Sequence, residues 1–278
     1  MTRLTACLLA IATCFNAQAA CSNGMQLQGA VDVKACDPAN APCVRADDAL
    51  YQYIRAIPDD GPDVLSIATH SSPWHLYDQD YRILEIDEVA AMVKQQGSGI
   101  KRVALVASWS GATPAPGTTS LAGKLSKALG GKPVTGQDGF VWVSPQGTLR
   151  TTRQAFTIRP GGPYWAGRND DVMASLVAGW PMYMEAEYIK QRDAVGLLRV
   201  GAAKEIFMLC PDGALQSYEA SAALDNPVAA YNAALIRLER KRPGDVAAAM
   251  KLLKQAAGQG DAKAERKLQS LTKTPRAG

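Results

Sequence analysis

His70 and His75 are the only histidines in the chain, so any general base of imidazole type is one of these two. A serine hydroxyl becomes a nucleophile only when a neighbouring base takes its proton, and histidine is the usual base. His70 closely follows the apolar run Val64–Ala68, and Ser108 and Ser110 closely follow the run Val103–Ala107. If both runs are adjacent parallel strands, His70 and the two serines share one sheet edge, where α/β folds gather functional groups. The chemistry expected of that set is hydrolysis through Ser108 or Ser110, with His70 as base. Asp78, Asp80 and Asp87 are candidate carboxylates to orient His70 or His75. The competing reading is structural, because histidines at strand ends commonly hydrogen-bond within loops and serines there cap turns or helices. There is no P-loop, dinucleotide fingerprint or metal-ligand spacing, so no cofactor and no metal are expected.

The elements that must position these residues read as follows. Val64–Ala68 and Val103–Ala107 are short apolar runs, the mark of buried strands. Between them, Asp87 is the expected N-cap of a helix carrying Val89, Met92 and Val93, stopped at Gly97. A helix with Leu121, Leu125 and Leu129 ends at Gly130-Gly131, and Phe140–Ser144 with Thr148–Thr152 forms a hairpin around Pro145-Gln146-Gly147. This order predicts an α/β domain over 21–200, a mostly parallel sheet with flanking helices. Asp47–Ile57 reads as a short helix, while 156–200 gives mixed signals, with Pro160–Pro163 a loop and Gly179-Trp180-Pro181 interrupting any helix. Trp74, Trp109, Trp142, Trp165 and Trp180 could line a surface, although most tryptophans are partly buried core.

The N-terminus reads as a secretory signal over 1–20. Arg3 precedes the apolar stretch Leu4–Phe15, and Ala17-Gln18-Ala19 supplies a cleavage pattern. Export to the periplasm, or secretion, is expected. Cys21 follows directly, but lipid attachment prefers an aliphatic residue where Gln18 stands, so membrane association is expected only if Cys21 is lipidated. After cleavage Cys21, Cys36, Cys43 and Cys210 remain, the number for two disulfides of undetermined pairing in an oxidising compartment. Net charge is +4, but from Arg237 onward eleven Lys/Arg face four Asp/Glu. Such a basic stretch suits either a solvated helix face or an acidic partner, and a nucleic-acid partner is not expected in this compartment.

From Gly201 the pattern is helical, over Ala202–Leu209, Ala214–Leu224, Val228–Arg240, Val246–Ala257 and Ala262–Leu271, with a disordered tail expected at 273–278. Ala222-Ala223 followed by Ala229-Ala230 recurs as Ala256-Ala257 followed by Lys263-Ala264, an offset of 34 residues. That period fits a helix-turn-helix solenoid, in which alanines let helices approach closely. Leu252–Ala264, with Asn226-Pro227 and Ala230–Ala234, resembles a Sel-one-like repeat, a relative of the tetratricopeptide repeat. The resemblance covers about 203–272 and implies protein–protein contacts, with Tyr231, Arg237 and Lys241, beside Trp109, as candidate binding residues. So short an array is expected to pack on the α/β domain rather than stand alone.

Two further resemblances bear on the serines. Ser108-Trp109-Ser110-Gly111-Ala112 resembles a loosened nucleophile elbow, but an α/β-hydrolase takes its histidine from after the serine, and none follows His75. The order His70, then Ser108, each after a strand, is more similar to a caspase-like peptidase in which Ser108 occupies the place of the cysteine. That exchange implies a degenerate domain, since neutral serine is a weaker nucleophile than thiolate. The function expected is therefore an exported protein-binding protein, an immunity or adaptor protein for a secreted effector. The alternative is an envelope hydrolase with a His70/Ser108 or His70/Ser110 dyad.

Overall fold

The computed structural model describes residues 57–58, 60–143, 146–152 and 184–273. The expected signal sequence, the 21–45 loop, the helix at Asp47–Ile57, Cys21, Cys36, Cys43, Trp165, Trp180 and most of the tail lie outside these residues, apart from Ile57 itself.

Three strands form a parallel sheet in the order β1 (Val64–Ala68), β4 (Arg102–Val106), β5 (Val134–Thr135). The helices α1 (Ile86–Gln95) and α2 (Leu121–Ala128) cover it. Apolar spacing explains the cover: α1 buries Val89, Ala90 and Val93, and α2 buries Leu121, Ala122 and Leu125, against Val103 and Leu105 of β4. The expected parallel α/β arrangement is present, in a small form. One cap differs from expectation. Glu85, not Asp87, precedes α1, because Glu88 sits three residues on and its carboxylate accepts the Glu85 N–H in a capping box. The expected hairpin is β6 (Phe140–Val143) against β7 (Leu149–Thr152).

A second hairpin was not anticipated. β2 (Leu76–Tyr77) pairs antiparallel with β3 (Ile83–Leu84). Neighbouring strand residues point to opposite faces. Leu76 and Leu84 therefore join the sheet's core, while Tyr77 and Ile83 enter the core of the C-terminal helices. Two cores thus share one ribbon, only two residues long on each side.

The C-terminal part holds α3 (Glu185–Gln191), α4 (Ala194–Met208), α5 (Pro211–Ala222), α6 (Pro227–Arg240), α7 (Asp245–Gly258) and α8 (Ala262–Lys273). Each packs on the next in chain order. Helical structure starts before Gly201, which lies inside α4. Gly201 is a contact notch: a Cβ there would stand 2.6 Å from the Tyr218 ring of α5. Caps follow local chemistry. Asp193 accepts the Gly196 N–H at the start of α4, and Asn226 accepts the Ala229 N–H at α6, where Pro227 takes the first turn. None of the helices among the described residues is long and apolar enough to cross a membrane.

Candidate functional site

The sheet edge brings the expected residues close in topology. β1 and β4 run parallel with Ala68 opposite Val106, so His70 and Ser108 each follow aligned strand ends by two residues. Both serines bond to backbone groups. Ser110 is fully buried, and its hydroxyl donates to the Ala107 carbonyl at 2.7 Å while accepting the Gln137 N–H at 3.1 Å. The Ser108 hydroxyl accepts the Val141 N–H at 3.0 Å, and its carbonyl accepts the Ser71 hydroxyl at 2.6 Å. The His70 ring stacks on Tyr81 at 5.7 Å. Trp109 adopts φ 61°, a left-handed conformation unusual for a bulky residue, and its ring meets Phe140 edge-on in a small core with Leu209. Behind it Gly111 and Gly136 touch backbone to backbone, and a Cβ on either would lie under 3 Å from the other segment.

The denser constellation centres on His75. This imidazole is 5% exposed, with Nδ1 2.6 Å from Glu205 Oε1 and Nε2 3.0 Å from Glu239 Oε2. Ser72 donates to the same Glu205 oxygen at 2.6 Å and accepts the backbone N–H groups of Trp74 and His75. Glu205 lies on α4 and is fully buried. Burial works against a charged imidazole, but the charges and hydrogen bonds of Glu205 and Glu239 outweigh it and push His75 up to about 10. His75 is consequently an imidazolium at neutral pH. Burial raises the Glu239 carboxyl, but His75, Lys124 and Lys267 more than reverse this and hold it below the usual range. Burial, then the charge of Glu205, push the phenols of Tyr77 and Tyr218 well above 10; their oxygens are 3.4 Å apart.

This knot is one end of a long seam. Asn232 of α6 accepts the Ile83 N–H at 2.9 Å and donates to the Tyr81 carbonyl at 2.8 Å, clasping the β2–β3 hairpin. Arg82 pairs with Asp261 at 2.5 Å and lies over the Tyr231 ring. Lys267 pairs with Glu85, and Lys263 with Glu88 at 3.1 Å. The inner face of the helix stack is thus filled by the chain's own segment from Ser72 to Glu88. Of the carboxylates expected to orient the histidines, Asp78 accepts the Asp80 and Arg82 N–H groups.

Beside the knot a cleft of about 410 Å³ opens between the two parts. Its walls include Trp74, Leu121 and Lys124 from the α/β side, Leu238, Glu239 and Lys241 at the end of α6, and Lys267. Of the expected binding residues, only Lys241 lines it. Trp109 is 3% and Tyr231 1% exposed, so both are core, and the Tyr231 hydroxyl donates to Glu85. Arg237 is spent on Glu219 and on Asp245, which Arg240 also binds. The Arg240 hydrogen bonds hold the Asp245 carboxyl far below the usual range, against the effect of its burial. Cys210, buried at the start of α5, is disulfide-bonded. Among the described residues no cluster of His, Cys, Asp and Glu could hold a metal ion.

Sequence reading passed over His75 in favour of His70, and it missed Glu205, Glu239 and Asn232. One signal was available: Glu205 is the only acidic residue in the mostly apolar helix Ala194–Met208, whose other charges are Arg199 and Lys204. A charge there needs a buried partner.

Residues 36–151 match a family described as a domain of unknown function (DUF8616). The match ends inside β7 and includes none of the helices after Met184. No curated protein and no solved structure matches this chain.

Proposed function

We propose that this is an exported protein-binding protein, acting as an immunity or adaptor protein for a secreted effector. In this reading the α/β part is a degenerate caspase-like domain and the helices from α4 onward are Sel-one-like repeats. The observation that carries it is the cleft walled by both parts of the molecule, beside a seam of hydrogen bonds and ion pairs that joins those walls. Helix starts at Ala194, Pro227 and Ala262, alternating with Pro211 and Asp245, step by roughly 34 residues, which supports the repeat reading. The Cys210 disulfide supports export, because such bonds persist in oxidising compartments. With its inner face filled by Ser72–Glu88, the stack offers a partner the cleft and its outer side. The test is crosslinked affinity capture of the tagged mature chain from its native periplasm, read by mass spectrometry. One stoichiometric protein partner is expected; none would overturn the reading.

A second reading has its own observation. The aligned ends of β1 and β4 place His70 and Ser108 at one edge, with Trp109 between the two serines at φ 61°. Strained backbone of this kind recurs at catalytic turns. An envelope hydrolase using His70 with Ser108 would lose turnover, not fold, on Ser108→Ala.

A further inference from the structure

We propose that the seam cleft receives an acidic segment of a partner polypeptide, its carboxylates held by Lys124 and Lys241 and its apolar side chains set against Trp74, Leu121 and Leu238. This rests on the protein-binding reading and adds the chemistry of what is bound.

The case is one of charge left unanswered. Lys124 comes from α2 and Lys241 caps α6, so the two cationic groups stand on opposite parts of the molecule and both line the cleft. Neither ammonium has an ion-pair or hydrogen-bond partner among the described residues, whereas Lys263 and Lys267 are paired with Glu88 and Glu85. Glu239 acts on Lys124 at longer range, while its carboxylate is bonded to His75. Around the cleft, Lys124, Lys241, Lys267 and protonated His75 face Glu85, Glu239 and, behind the imidazole, Glu205, so one positive charge remains over. Loss of the His75 proton would bring the same groups to zero net charge.

Shape narrows the occupant. The volume of about 410 Å³ falls within the ~300–1,000 Å³ of ligand-binding clefts. An anionic bilayer needs a flat or protruding basic surface, and these lysines sit in a concavity between two parts. A polypeptide can thread such a concavity, and the lining alternates lysines with aromatic and aliphatic side chains. Mixed acidic and apolar residues meet that lining without leaving a carboxylate unpaired.

The experiment pans random dodecapeptides displayed on phage against the immobilised mature chain. The best binder is then titrated against wild type and variants by fluorescence anisotropy. Enriched peptides should carry net negative charge and at least one aromatic or aliphatic residue. Lys124→Glu and Lys241→Glu should each weaken binding roughly tenfold. Lys254→Glu, on the exposed side of α7, should leave it unchanged. Neutral or basic winners, no enrichment, or equal loss with Lys254→Glu would overturn the proposal. So would lysine-dependent binding to phosphatidylglycerol vesicles in place of peptides. Capture from the periplasm with the Lys124→Glu/Lys241→Glu variant separates the two layers. A native partner retained by that variant removes the acidic segment and keeps the protein-binding reading, whereas no native partner for wild type removes both.

Discussion

At the sheet edge, His70 lies half-buried with its ring against Tyr81, and the serines beyond β4 are engaged by backbone groups. At the seam, His75 is almost sealed from solvent and held at both ring nitrogens by carboxylates. The same residue type serves two ends. Chemistry needs a base that can take and release a proton near neutral pH. His75 has been given up to structure, because an imidazolium held by two carboxylates keeps its proton. His70 stacks on Tyr81, and the nearby serines hydrogen-bond to backbone groups.

The widest separation of the two regions should come from Glu205→Ala. That change leaves the His75 charge and the Ser72 hydroxyl buried without their shared acceptor. Removing one partner of a buried pair costs about 3–5 kcal/mol. Chemical denaturation of the variant should show that loss in the midpoint with an unchanged slope. A loss below about 1 kcal/mol would mean that the knot is solvated and the two parts hold together without it.

pH gives the second separation. His75 binds its proton more tightly in the folded chain, about 10 against an ordinary 6.5. Its contribution to stability is therefore complete below pH 6.5 and is lost as pH rises through about 10. Wild type should lose stability over that alkaline window, and His75→Gln should flatten the slope there while lowering stability at neutral pH. Equal slopes in wild type and His75→Gln would show that the histidine is not an imidazolium in the fold.

A smaller effect is expected one step along the seam. Asn232→Ala strips the Ile83 N–H and the Tyr81 carbonyl of their partners, and buried unsatisfied groups cost about 1–3 kcal/mol. Hydrogen exchange at the Ile83 amide should quicken while the amides of β4 stay protected. Uniform loss of protection would show that the two cores unfold as one.

These differences mark what the sequence could and could not disclose. The α/β order and the helix stack were legible because each rests on local pattern. Apolar runs gave β1 and β4, the leucines and Gly130-Gly131 gave α2, and proline and glycine set off α6 and α7. The β2–β3 ribbon escaped notice because it is two residues long per strand, too short for alternation to register. The knot escaped for a different reason. Ser72, His75, Glu205 and Glu239 are up to 167 residues apart, and nothing local in any of them tells which will be neighbours. Gly201 could be read as flexible, although it is fixed by the Tyr218 ring.

The smallest effect is expected where the sequence pointed first. His70→Ala combined with Ser108→Ala removes one stacked ring and one hydroxyl that accepts the Val141 N–H. Neither site is a buried charge or a fully packed core position, so the combined cost should stay near 1 kcal/mol, the scale of one ordinary hydrogen bond. Partner capture should survive, because neither residue lines the cleft. The variant is informative in both directions. If it binds and melts as wild type, the sheet edge is scaffold, and the matching strand ends reflect parallel pairing alone. If a hydrolytic activity found in wild type disappears while the melt is unchanged, then the Ser108 proton does reach His70 in the working enzyme. The Val141 contact would then be the resting arrangement that substrate displaces.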